Sequence, residues 1–278
     1  MRLDLPPDVP GGPEWSKLVP MRQDHACCGR RYCPFTRKTQ ETTAMSAPAA
    51  SGTSPLPILL LLLSVTTGLV DAVSVLGLGK VFTANMTGNI VFLGFAIVGT
   101  PGFRVLPAVA ALLSFLTGAL IAGRLGRTFA GRPMRHWLLT AALFETVLFW
   151  IAAAVAAGFD VGTQTPAAAL YAIIVLTGFA MGFRNATVRQ MKVPDLTTTV
   201  LTLTLTGLAA DSALAGGANT NARRRMASVA AIFLGAALGA VMVMQSGLVL
   251  PLVVVGALVL AGTAFCALHP ASTAPAAA

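Results

Sequence analysis

Apolar residues run along this chain in eight blocks, at about 56–76, 86–99, 105–123, 137–157, 167–183, 196–210, 226–246 and 248–268, parted by short polar or glycine- and proline-bearing breaks. Six blocks fall within tolerance of the roughly 20 residues that cross about 30 Å of hydrocarbon at about 1.5 Å per residue. The blocks at 86–99 and 196–210 are shorter. The pattern therefore predicts an all-α membrane protein with six transmembrane helices and two short discontinuous or re-entrant helices. Eight spanning segments are the alternative.

The two short blocks also mark an internal echo. Residues 67–94 and 177–204 correspond at a constant offset of 110: Thr67-Gly68 aligns with Thr177-Gly178, and Asn85-Met86-Thr87-Gly88-Asn89-Ile90 with Asp195-Leu196-Thr197-Thr198-Thr199-Val200. Paired polar interruptions in two halves of a hydrophobic chain are a signature of transporters whose broken helices build a site at the bilayer midplane. Three spans per half make the second repeat enter the membrane upside down. Repeat 1 is read as 56–158 and repeat 2 as 159–268, with a polar leader at 45–55 and a disordered tail at 269–278.

Lys and Arg orient the spans, because short cytoplasmic loops collect them. With six spans, Arg124, Arg127, Arg132, Arg135, Arg184, Arg189, Lys192 and the Arg223-Arg224-Arg225 triplet share the side that holds both termini, whereas Lys80 and Arg104 lie opposite. Eight spans would split these clusters between the two faces. The reading is a multi-pass protein of the bacterial inner membrane with cytoplasmic termini.

Each short block has the geometry of a half-membrane entry. Residues 77–84 have ample length to enter from outside in extended form, at about 3.3 Å per residue, and a helix from 86 would run back out. Asn85 and Asp195 are good N-cap residues, and Pro194 keeps its predecessor out of helical geometry. Both helix starts would face the middle, where free amides and the dipole suit anions or polar groups with acceptors. The expected substrate-binding residues are Asn85, Thr87, Gly88, Asn89, Asp195, Thr197, Thr198 and Thr199. Threonines 198, 202 and 206 share a helical face, although Thr in membrane helices more often bonds backbone or packs.

The segment Thr83-Ala-Asn-Met-Thr-Gly-Asn-Ile-Val-Phe-Leu-Gly94, with Thr67-Gly-Leu-Val-Asp-Ala72 upstream, resembles the YoaK family of bacterial integral membrane proteins of unknown function. The resemblance covers about 55–268. It implies a several-helix inner-membrane protein and supplies no substrate, reaction or site.

Ionisable groups inside the bilayer are costly, about 2.5–3.5 kcal/mol at a helix centre on insertion scales, and so draw attention. Asp71 near the outer end of the first span, Glu145 in the middle of the fourth long block and Asp211 after the second short block are such groups. Asp71 suits an ion ligand or solvation of the next loop's start. Glu145 suits proton coupling or hydrogen-bond donation. Lys80 opposes the charge bias and is expected to pair with Asp71. Arg184, with Arg189 and Lys192, would form a basic approach to the second short block, or simply set topology. Asp71, Glu145, Lys80 and Arg184 are thus the candidate coupling or ion-pathway residues. Gly235 and Gly239 have small-x-x-x-small spacing, read as packing, with homo-oligomerisation through that face as a further expectation.

Composition closes off other classes. The chain is 55% hydrophobic and 10% charged, with a mean hydropathy of +0.77; soluble domains carry about 25% charged residues. Residues 1–44 differ, holding three of the four cysteines and seven of the nineteen basic residues. They read as an upstream extension from a misassigned start, with Met45 the natural beginning. His25, Cys27, Cys28 and Cys33 lack zinc-site spacing, so no metal or cofactor is expected. The sequence pI of about 10.3 then reflects topology and this tail, not nucleic-acid binding. Leu59–Leu63 resembles a signal-peptide h-region, but the echo of Thr67-Gly68 places that helix in the mature fold, uncleaved. No nucleophile motif or metal-ligand spacing is present, so an enzyme is not expected. The expected function is a secondary transporter or permease for a small polar or anionic solute, its partners being the lipid bilayer and that solute; a non-transporting scaffold or sensor is the alternative.

Overall fold

The computed structural model describes residues 55–129, 131–191, 201–218 and 221–269. Its helices are α1 (Leu56–Gly77), α2 (Met86–Ile97), α3 (Val105–Thr128), α4 (Met134–Ala156), α5 (Ala167–Gln190), α6 (Leu201–Ala210), α7 (Ala222–Ser246) and α8 (Val249–Leu268). Six are long and apolar enough to cross a membrane, and α2 and α6 are the short ones. Among the described residues the six-span reading holds, and the 12 residues of α2 are too few for a span.

Several helices run further than the apolar blocks did. α5 continues to Gln190, which places Arg184 inside the helix and Arg189 in its last turn. The expectation that put Arg184 in a cytoplasmic loop is therefore corrected: Arg184 is buried at 2% exposure. α3 likewise carries Arg124 and Arg127, and α7 opens with the arginine triplet. Long basic side chains extend a membrane helix beyond its apolar block because their stems cover apolar surface while the charge stays wet. Arg184 is the exception, and its partners explain it below.

The bundle is organised around α1, α4, α5 and α8. α4 packs on both α5 and α8, and α1 packs on α8 and more lightly on α5. Leu60, Leu69 and Val70 of α1, Phe149 of α4, Ile173 and Ile174 of α5 and Leu252 and Val255 of α8 meet in one core. α7 lies against α1 and α3 against α5. The outer faces of these flanking helices, such as Leu113, Leu116 and Leu120 on α3 or Phe233, Leu234 and Leu238 on α7, remain exposed. Such surfaces suit lipid.

Two crossings of the same kind hold the flanking helices. A Cβ at Gly68 would collide with the Ile232 carbonyl, and one at Gly235 with the Val65 carbonyl, across α1 and α7. Across α3 and α5, Gly118 abuts the Phe179 carbonyl and Gly182 the Phe115 carbonyl. Backbone approach of this kind is how membrane helices associate where apolar burial gives no net drive. Gly235 and Gly239 thus pack on α1 within the chain, as the packing reading of their spacing expects. At the α4–α8 contact the Thr146 hydroxyl donates to the Gly256 carbonyl at 3.1 Å, and Trp150 Nε1 to the Val253 carbonyl at 3.3 Å. Thr146 and Gly256 are 110 positions apart.

Side chains also show which loops share an end of the bundle. Arg104, before α3, donates to Gln164, between α4 and α5. Gln190, at the end of α5, donates to the Ala122 carbonyl of α3 at 3.3 Å. In the 157–166 loop the Thr163 hydroxyl, followed by the Gly162 amide, holds the Asp160 carboxyl below its ordinary value.

Gly235→Ala should lower the thermal midpoint of the purified protein, since overpacking typically costs about 1–3 kcal/mol. Gly94→Ala, where an added Cβ meets open space, should leave it unchanged or slightly raised. Tryptophan-fluorescence melting in detergent checks both, and equal melting would contradict the close crossing.

Candidate functional site

A cavity of about 430 Å³ lies between the start of α2 and the first described residues of α6. Thr67 and Asp71 line it from α1, Phe82 and Ala84 from the segment between α1 and α2, and Asn85, Thr87, Gly88, Val91 and Phe92 from the start of α2. Leu201 and Thr202, the first described residues of α6, and Ile232 of α7 complete its described lining. Thr67 and Asp71 are four apart and share a helical face. Asp71 is six residues before the end of α1 and Thr67 ten, so they sit about 9 and 15 Å inside that end at 1.5 Å per residue. The cavity therefore reaches the middle of the bundle, and its volume falls in the range of small-molecule pockets, about 300–1,000 Å³.

The non-helical segment between α1 and α2 survives at this depth because its backbone is matched by side chains. Asn89, fully buried, accepts from the Phe82 amide at 2.8 Å and donates to the Phe82 carbonyl at 2.6 Å. One amide side chain thus imitates a strand partner. The carboxyl of Asp71 meets the backbone amides of Ala84 and Asn85. Asn85 occupies the N-cap position of α2, as its residue type predicts, but makes no side-chain cap bond. Its side chain is exposed and the capping charge comes instead from Asp71 of a different helix. Phe82 stacks on Phe92 with ring centroids 5.5 Å apart and covers Gly88, where any Cβ would strike its ring.

Lys80 does not pair with Asp71. It is exposed, and its ammonium lies 5.0 Å from the centroid of the Phe103 ring. Phe103 packs in turn on Phe92 and Phe95. The expected pair fails because Lys80 has left-handed backbone, φ 58°, in the turn after α1 and extends toward the loop that follows α2.

A second polar centre lies deeper in the core. Arg184 forms a buried ion pair with Glu145. Arg184 Nη1 also donates to the Thr66 hydroxyl at 2.9 Å and to the Thr67 hydroxyl at 3.5 Å. The guanidinium rests 5.7 Å from the Phe149 ring centroid. Beside Arg184 and Glu145 is a void of about 20 Å³, the size for a single water molecule. Glu145, expected to serve proton coupling or hydrogen-bond donation, and Arg184, expected in a basic approach to the second short block or as a topology determinant, are therefore partners. Neither lines the larger cavity. Thr67 joins the two centres, lining the cavity and accepting from Arg184.

Of the expected binding residues, Asn85, Thr87 and Gly88 line the cavity, whereas Asn89 is turned to the backbone of Phe82. Asp195, Thr197, Thr198 and Thr199, with Lys192, lie outside the described residues, although Leu201 and Thr202 just after them reach the cavity. Asp211 pairs with Arg225 at 2.6 Å. Sequence reasoning missed Phe82, Phe92 and Ile232 as lining and Thr66 as an arginine ligand. Only the proximity of Phe82 to the break signalled any of these.

A family model described as a protein of unknown function, DUF1275, matches residues 59–265. The chain belongs to this family. It is 31% identical over 153 residues to the UPF0700 transmembrane protein YoaK of Bacillus subtilis (strain 168). That match covers 55% of this chain and 65% of the relative, so it spans less than two thirds of the relative's length. No solved structure matches.

Removing one member of a buried ion pair strands the other charge and typically costs about 3–5 kcal/mol, whereas replacing both with apolar residues is often neutral. Arg184→Met should therefore melt well below the parent, and the double variant Glu145→Leu/Arg184→Met should recover most of the loss. Failure of the double variant to exceed the single one in thermal midpoint would contradict the pairing. Asn89→Ala removes both bonds to Phe82 and should open residues 78–85 to amide hydrogen exchange by at least about tenfold, as loss of about 1.4 kcal/mol of local protection implies.

Proposed function

We propose that this protein is a secondary transporter or permease of the bacterial inner membrane, without enzymatic activity, and that it carries a small polar solute through the cavity between α1, α2, α6 and α7. The supporting observation is that the first residues of α2 and the first described residues of α6 line one cavity near the bundle's middle, with Thr67 and Asp71 behind them. Discontinuous helices that begin at a shared cavity are the usual architecture of a midplane solute site.

The proposal includes two inverted repeats. It is supported by the matching crossings, in which Gly68 of α1 meets α7 and Gly178 of α5 meets Ser114 of α3, and by contact between Thr146 and Gly256 at the repeat offset. Cytoplasmic termini are supported by the arginines of 124–135 and 223–225. The anionic solute fares less well. The described lining contains a carboxyl and no basic residue, and Asp71 already takes the place at the α2 start where a bound anion would sit. Asp71 is the coupling candidate that touches the cavity, whereas Glu145 and Arg184 are proposed to hold α4, α5 and α1 in register beneath it.

Cysteines placed at Thr87 and Thr202, in a version with Cys27, Cys28, Cys33 and Cys266 replaced by serine, test the reading with membrane-impermeant thiol reagents applied from each side. Labelling that switches with side or is blocked by a solute is the expected result; uniform protection would favour a packed scaffold and overturn transport. In the same background, Gln164→Cys should label from outside and Gly131→Cys from the cytoplasm. The reverse would invert the orientation.

A further inference from the structure

Among the described residues, the ionisable acids and bases well inside the spans are Asp71, Glu145 and Arg184. Glu145 and Arg184 neutralise each other. That leaves the carboxyl of Asp71 as the ionisable group in the spans with no opposite charge paired to it among the described residues, and it lines the large cavity. Its contacts with the Ala84 and Asn85 amides supply partial positive charge only. The Oδ1 oxygen is buried and has no hydrogen-bond partner. A buried carboxylate oxygen without a donor is costly, and a ligand that brought N–H donors and a positive charge would relieve that cost.

The remaining walls narrow the ligand further. Phe82 and Phe92 contribute aromatic rings, Val91, Leu201 and Ile232 apolar surface, and the threonines hydroxyls. A carboxylate beside aromatic rings is the recognition chemistry of organic ammonium ions, the rings adding cation–π attraction. A bare metal cation would want several oxygen ligands at one point, and no cluster of three or more His, Cys, Asp or Glu residues that could hold a metal occurs among the described residues. We infer that the cavity is a binding site for a small protonated amine, with Asp71 as its counter-charge and Phe82 and Phe92 flanking it. This rests on the transporter reading for the amine's role as the carried solute, but binding itself can be judged separately.

The test is equilibrium binding to the purified full chain in detergent at neutral pH, by titration calorimetry, of three probes of nearly one shape: 2-phenylethylammonium, 2-phenylethanol and phenylacetate. The amine should bind at least tenfold more tightly than the alcohol, and the acid more weakly still. Asp71→Asn, which keeps the shape and an acceptor oxygen, should abolish the tenfold preference. Equal binding of all three, preference for the acid, or no binding by any would overturn the amine site and leave Asp71 as a cap on α2. An Asp71→Asn variant that does not fold leaves the comparison among the three probes in the parent protein to decide. Uptake of the labelled amine into proteoliposomes separates the two readings: binding with charge preference but no uptake overturns transport alone, whereas flux of neutral polar solutes without charge preference overturns the amine alone.

Discussion

Backbone that leaves a helix within hydrocarbon must find its partners inside the protein, and the segment between α1 and α2 meets that demand with two side chains. Asn89 reaches back to both polar groups of Phe82, and Asp71 reaches across to the amides of Ala84 and Asn85. With those groups matched, the chain can turn round about 9 Å inside the end of α1 and begin a new helix there. The cavity exists because α2 starts at that depth. Its polar lining follows from the same residues, since a chain reversal inside apolar surroundings brings cap positions and hydroxyls with it.

Helix association around the reversal relies on small residues, not on apolar burial. Glycines 68, 118, 182 and 235 each face a neighbouring carbonyl so closely that no side chain fits. These contacts leave the outer faces of α3 and α7 free for lipid. They also fix α1 and α5 firmly enough to hold the deeper ion pair, whose members come from α4 and α5 and whose hydroxyl ligands come from α1. Buried charge of that kind is tolerable only where geometry and hydrogen bonds are already set.

Much of this could be read from residue order. Block length separated six spans from two short helices, and the break at Asn85 pointed to Thr87 and Gly88, which do line the cavity. What stayed hidden depended on direction and distance in space. Asn85 and Asn89 are equivalent polar residues on paper, yet one is exposed and the other is consumed by Phe82. Arg184 looked like a loop residue because the apolar block ends at 183, and only packing of α5 against α1 and α4 reveals why an arginine extends the helix instead of ending it. Lys80 and Asp71 are close in sequence and opposite in charge, but the left-handed turn at Lys80 carries the ammonium elsewhere.

The charged residues are also unevenly shared between the halves. At the offset of 110, Glu145 answers to Val255, Asp71 to Met181 and Arg184 to Ser74. Under the proposed repeat relation, exchanging the conformations of the two halves would carry the molecule between its two facings, and identical halves would make those facings equal in free energy. With each of these three charges on one partner of its pair, that degeneracy would be lifted. On that proposal, the covalent sequence itself would bias the molecule toward one side of the membrane, before any gradient or solute acted on it.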